Sequence, residues 1–79
     1  MTAPPPELVA FGRTVRRARR ELDLSQEALA HRAGLSAKHV GEIERANKDP
    51  RVTTVLRLAR ALELRSGELF GRIDERLEG

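Results

Sequence analysis

The stretch from Ser25 to Arg45, SQEALAHRAGLSAKHVGEIER, decides the fold. Ser25 offers a side-chain oxygen to the free amides of a helix start, and Glu27 puts a negative charge in the first turn, where the helix dipole favours it. Ala28, Leu29, Ala30 and Ala33 are placed to pack inward, and Gly34 follows at once as the residue best suited to a left-handed stop. Leu35 anchors the turn, Ser36 repeats the cap, and Val40 and Ile43 carry the apolar spacing of another short helix through to Arg45. Two short capped helices across a glycine turn cross steeply and leave the second exposed at its N-terminal end. That is the geometry needed to enter a major groove.

Upstream, Leu8, Phe11, Val15, Ala18 and Leu22 advance in steps of three and four, one stripe along a longer helix starting at Glu7. Pro4, Pro5 and Pro6 precede it and favour an extended chain, so residues 1–6 are expected to be a disordered tail and residues 7–79 a single domain. Downstream, Asn47, Lys48, Asp49 and Pro50 read as a polar loop. Val52, Val55, Leu56, Ala59 and Leu62 then mark a fourth helix, and Leu64 sits in the next connection. Ser66 is the expected cap of a last helix with Leu69, Phe70, Ile73 and Leu77 on its apolar face, where Gly67 and Gly71 lower the propensity. The fold class is all-α, a compact five-helix domain.

Composition narrows the function. With 79 residues there is room for one thin core, and 39% apolar with 34% charged residues suits a globular domain with a heavily solvated surface. The absence of cysteine excludes disulfides and thiolate metal sites. Apolar runs are too short to cross a bilayer, and Met1 to Gly12 lacks the pattern of a secretory signal, so a soluble protein of the cytoplasm with no membrane partner is expected. No nucleophile–base pair, phosphate loop or metal-ligand cluster can be assembled, so neither a catalytic residue nor a cofactor is expected. His31 and His39 lack a matching ligand set, and no metal is expected on them. The net charge of +3 is uneven: Arg13, Arg16, Arg17, Arg19 and Arg20 crowd one segment, while Asp74, Glu75 and Glu78 close the chain. The arginine run is either a solvated helix face or a surface for a polyanion.

The helix pair resembles the helix-turn-helix of the Xre or lambda-repressor-like family. Gly34-Leu35-Ser36 is similar to the family turn, Ile43-Glu44-Arg45 to its IER signature, and Asn47 to Leu62, NKDPRVTTVLRLARAL, to its loop and following helix. The resemblance implies a lambda-repressor-like DNA-binding domain with the helix-turn-helix at helices 2 and 3. It implies that Ser36, Ala37, Lys38 and Glu42 face bases. Lys38 is suited to guanine, Ala37 to a thymine methyl and Glu42 to cytosine. Local roles compete: Ser36 also caps, Ala37 also favours helix, and Glu42 also suits a local salt bridge. Where the family often carries glutamines at the start of this helix, Ala37 and Lys38 stand instead.

By the same resemblance Gln26 contacts a phosphate and braces a base-reading side chain, with Ser25, His39, Arg45, Asn47 and Lys48 as further backbone contacts and Arg19 joining them from the arginine cluster. Glu44 is implied to be structural, with either Arg17 or Arg20 as its buried partner. Gly41 costs on the order of 1 kcal/mol inside a helix, which suits a close approach of DNA backbone or of another helix.

A domain of this kind touches few base pairs, so a homodimer on a palindromic operator is expected, with double-stranded DNA and a second copy as partners and no small-molecule effector. Leu56, Leu69, Phe70 and Ile73 are the expected interface, in competition with the core of the single subunit for the same side chains. The size resembles that of restriction-modification controller proteins. A phage-type repressor, an antitoxin, or a helical interaction module that has lost DNA binding would share the domain. All but the last imply a nucleoid-associated protein of prokaryotic or phage origin.

Overall fold

The computed structural model describes residues 2–79 and holds five helices among them: α1 (Pro6–Glu21), α2 (Gln26–Ala33), α3 (Ala37–Glu44), α4 (Val52–Ala61) and α5 (Ser66–Glu78). The expected tail ends one residue early, because Pro6 is the first helical residue. A proline there loses nothing, since the first amides of a helix have no intrahelical acceptor. Leu8 and Val9 both donate to the Pro5 carbonyl (3.0 and 3.2 Å). Met1 lies outside the described residues.

Four helices end by the same device. At the end of α1 the Leu24 amide donates to the Arg19 carbonyl and the Asp23 amide to that of Arg20, at 3.1 and 3.0 Å. The pattern recurs with Leu35 and Gly34 on Ala30 and His31, with Asn47 and Ala46 on Glu42 and Ile43, and with Leu64 and Glu63 on Ala59 and Arg60. These are Schellman closures, which satisfy carbonyls a helix end would otherwise strand. The turning residue is left-handed each time (Asp23 φ 56°, Gly34 71°, Ala46 61°, Glu63 60°), although only one is glycine. Leu24, Leu35 and Leu64, one step further on, pack against the core and hold three of the closures in place.

The packing forms a ring: α1 on α3, α3 on α2, α2 on α4, α4 on α5 and α5 back on α1. Phe11, Val15, Leu29, Val40, Ile43, Leu58, Leu62, Leu69 and Ile73 fill its centre. Buried Thr14 donates its hydroxyl to the Ala10 carbonyl at 2.8 Å, so no polar atom is stranded there. Gly12 is the most closely packed of the glycines. A Cβ at that position would stand 2.5 Å from the Ile43 carbonyl oxygen and 2.8 Å from that of Glu44. Without a side chain, α1 lies directly against the last turn of α3.

Two helix-level expectations change. Ser66 does not cap α5. It is the first helical residue, and the Arg65 amide before it donates to Glu68 Oε1 at 3.1 Å, the backward half of a capping box. Val52 is exposed at the first turn of α4, beyond the core cluster that Val55, Leu58, Ala59 and Leu62 join. No helix among the described residues is long and apolar enough to cross a membrane.

Candidate nucleic-acid interface

Helices α1 and α2 grip α3 from two sides, and that grip fixes what α3 presents outward. Val40 and Ile43 point into the core. At 100° per residue the opposite pole of the helix falls on Lys38 and Arg45, flanked by Gly41 and Glu42. Lys38 and Arg45 are exposed, and Glu42 is half-buried. Ala37 lies nearer the core, where its methyl is half-covered, and His39 is half-buried on the other flank. Of the expected base-facing set, Lys38 and Glu42 therefore share the outward side, while Ala37 stands at its edge.

Both helix starts are capped as the sequence predicts. Ser25 Oγ accepts from the Ala28 amide and Ser36 Oγ from the His39 amide, each at 3.0 Å. Each hydroxyl keeps its own proton free to donate, so a cap and a phosphate contact are compatible. Asn47, Lys48 and Asp49 follow the left-handed turn at Ala46 and are exposed just past the C-terminus of α3.

Behind this surface lies a polar cluster whose membership differs from expectation. Glu44 pairs with Arg19, and neither Arg17 nor Arg20 is its partner: Arg19 Nε donates to Glu44 Oε2 at 2.7 Å and Nη2 to Oε1 at 3.0 Å. Arg19 Nη1 donates to the Leu24 carbonyl at 2.8 Å. With side chains only 11% and 3% exposed, the pair is tied into the fold, and Arg19 spends its guanidinium on Glu44 and the Leu24 carbonyl. The reason is helical phase. Arg19 stands seven residues after Gly12, two turns along the same α3-facing line. Arg17 instead faces solvent beside Glu21, at 3.6 Å. The hydrogen bonds it donates to Glu44, reinforced by the carboxylate's charge against the cost of burial, hold the Arg19 guanidinium above its already high pKa, so it stays protonated.

Gln26 joins the same carboxylate, donating Nε2 to Glu44 Oε1 at 3.1 Å. A carboxylate only accepts, so the NH₂ end of the amide must face it and the carbonyl end must face away. That carbonyl oxygen sits above Gly41. A Cβ on Gly41 would fall 3.6 Å from Gln26 Oε1 and 3.0 Å from Arg45 Nη1. What closes on Gly41 is thus a pair of side chains, one from α2 and one from the end of α3.

The expected dimer surface divides. Leu69 and Ile73 are buried within the subunit and belong to its core. Their steps of three and four mark a helix face without saying which body covers it. Leu56 and Phe70 remain outside, 46% and 48% exposed. Gly12 and the role of Arg19 were not found from sequence. The seven-residue interval between them is the one signal that would have suggested both.

Residues 15–69 match the helix-turn-helix family. The chain is 38% identical over 64 residues to the HTH-type transcriptional regulator y4dJ of Sinorhizobium fredii, an alignment covering 81% of this chain and 83% of the relative. Among solved structures it is similar to the restriction-modification controller protein C.AhdI of Aeromonas hydrophila, with 41% identity, a TM-score of 0.77, and 80% of this chain and 96% of that one covered. It is also similar to the DNA-binding domain of the P22 c2 repressor, with 28% identity, a TM-score of 0.72, and 76% and 79% covered.

Proposed function

The chain belongs to the helix-turn-helix family of transcriptional regulators, and from that premise we propose that it binds a two-fold symmetric duplex operator as a homodimer and controls transcription there. The observation that carries the reading is the outward pole of α3, where Lys38 and Arg45 stand exposed on a short helix held rigidly from behind. A helix so presented fits a major groove. Ser36, Ala37, Lys38 and Glu42 are the proposed base-facing residues, with Lys38 central and Ala37 at the margin. Ser25, Gln26, His39, Asn47 and Lys48 are proposed to meet the phosphates on either side. The protein acts in the cytoplasm, as a regulator and not as an enzyme.

The second copy docks through Leu56 on α4 and Phe70 on α5. Exposed apolar side chains of this size on the last two helices supply what a two-fold contact needs. The likeness to C.AhdI at 41% identity supports a controller role in a restriction-modification system. The likeness to the P22 c2 repressor domain favours a phage-type repressor as the second reading.

Titrating duplex DNA with protein at several salt concentrations tests the reading. Affinity for generic duplex should fall steeply and linearly on a log–log scale as counterions are released. A selected site should show two half-sites about one helical turn apart. Salt-independent retention, or none at low salt, would identify a helical interaction module instead.

A further inference from the structure

We propose that Arg45 reads a base pair in the groove, with Gly41 as the opening that lets it do so; the inference rests on the DNA-binding reading above. By position Arg45 belongs to the end of α3, where a cation would ordinarily meet phosphate. Its charge is not at that end. Side chains on a helix lean toward its N-terminus, and Arg45 folds back a full turn, bringing Nη1 to within 3.0 Å of where a Gly41 Cβ would be. That places the guanidinium level with the middle of the helix, on the same pole as Lys38.

Two features flank it there. Gly41 provides a bare stretch of backbone for the guanidinium to lie on, so an otherwise unfavourable mid-helix glycine has a use. Gln26 Oε1 flanks the same point as an acceptor. The amide of Gln26 is turned that way by its bond to Glu44, which the Arg19 pair fixes in turn. Buried Arg19, through Glu44 and Gln26, therefore sets the amide that stands beside Gly41, the residue over which Arg45 lies. A guanidinium held this way offers two parallel donors, which match O6 and N7 of guanine on the major-groove edge. Asn47 and Lys48, beyond the end of α3, remain for the phosphates.

The test is selection from a duplex pool randomised over the central positions, with wild type, Arg45→Ala, Arg45→Lys and Gly41→Ala compared. Wild type should select a two-fold site containing a guanine at one matched position in each half. Arg45→Ala and Arg45→Lys should both lose that preference, with discrimination at the position falling roughly tenfold or more. Arg45→Lys should keep its affinity for unselected duplex, because the charge remains while the fork is gone. Gly41→Ala should weaken the same position and no other, since its methyl displaces the guanidinium; if that variant fails to fold, the lysine variant alone decides. Uniform weakening with an unchanged base profile in both Arg45 variants would make Arg45 a phosphate clamp and overturn the proposal. Wild type selecting no sequence at all would instead remove the DNA-binding reading, and this inference with it.

Discussion

Gly12→Ala is the sharpest probe of how α3 is seated. The added methyl would stand 2.5 Å from the Ile43 carbonyl oxygen and 2.8 Å from that of Glu44. Both are backbone atoms of the last turn of α3, so no flexible side chain can swing aside. Restoring ordinary contact means parting the two helices by roughly 0.8 Å. Overpacking of this kind costs about 1–3 kcal/mol, and alanine returns about 0.5–1 kcal/mol of helix propensity. The same parting stretches the Arg19–Glu44 bonds of 2.7 and 3.0 Å two turns along the interface. A net loss of about 2 kcal/mol follows, or roughly 10 °C in the melting midpoint of a domain this small. Gly71→Ala is the control: its Cβ meets nothing within 4 Å, so it should raise stability by about 0.5–1 kcal/mol through propensity alone. The assay is thermal and urea unfolding of both variants, followed by circular dichroism. A Gly12→Ala protein as stable as Gly71→Ala would refute the close seating of α1 on α3.

Other outcomes follow from the same packing. Arg19→Met leaves the Glu44 carboxylate buried and unpaired, and should cost about 3 kcal/mol in urea unfolding; a loss below about 1 kcal/mol would mean the pair is effectively solvated. Phe70→Glu should convert a dimer to monomer in sedimentation velocity while the subunit's unfolding is little changed, and an unaltered sedimentation coefficient would place the interface elsewhere. Leu69→Ala, at a fully buried site, should instead cost about 2–5 kcal/mol in stability. The Glu21 carboxyl is held below its usual pKa, chiefly by the hydrogen bond from Arg72 and then by the charges of Arg72 and Arg17. Its contribution is therefore present above the ordinary glutamate value of about 4.3 and is lost as pH falls through the lowered one. Glu21→Gln should melt below wild type at neutral pH, with the gap closing in acid; a gap that persists at pH ~2 would assign it to something other than ionisation.

What could be read from the sequence was what neighbouring residues settle among themselves. The core of the α1 stripe at Phe11, Val15 and Ala18, the serine caps at Ser25 and Ser36 and the glycine stop at Gly34 each depend on residues within a turn or two, and each is found where it was expected, while Leu8 and Leu22 at the ends of the stripe are only half-buried. The partner of Glu44 could not be read this way, because the choice among neighbouring arginines is made by the phase of α1 against a helix 25 residues away. Leu69 and Phe70 are adjacent and equally apolar, yet one is core and the other surface. Periodicity locates an apolar face, and only the assembled ring says which part of it is already covered. Ala46 and Glu63 carried no signal for the turns they make, since their neighbours impose a conformation that the side chain alone would disfavour, and Asp23 carried only a weak one.

The four Schellman closures restrain the exits of four of the five helices. Each of these exits is held by paired amides, and those of α1, α2 and α4 are held further by a leucine packed on the core, which the exit of α3 lacks. In the proposed dimer, helices restrained in this way resist adjusting to half-sites set at an awkward angle. More of any mismatch then falls on the duplex, and operators whose central steps bend or twist cheaply should be favoured over stiff ones bearing identical contacted bases.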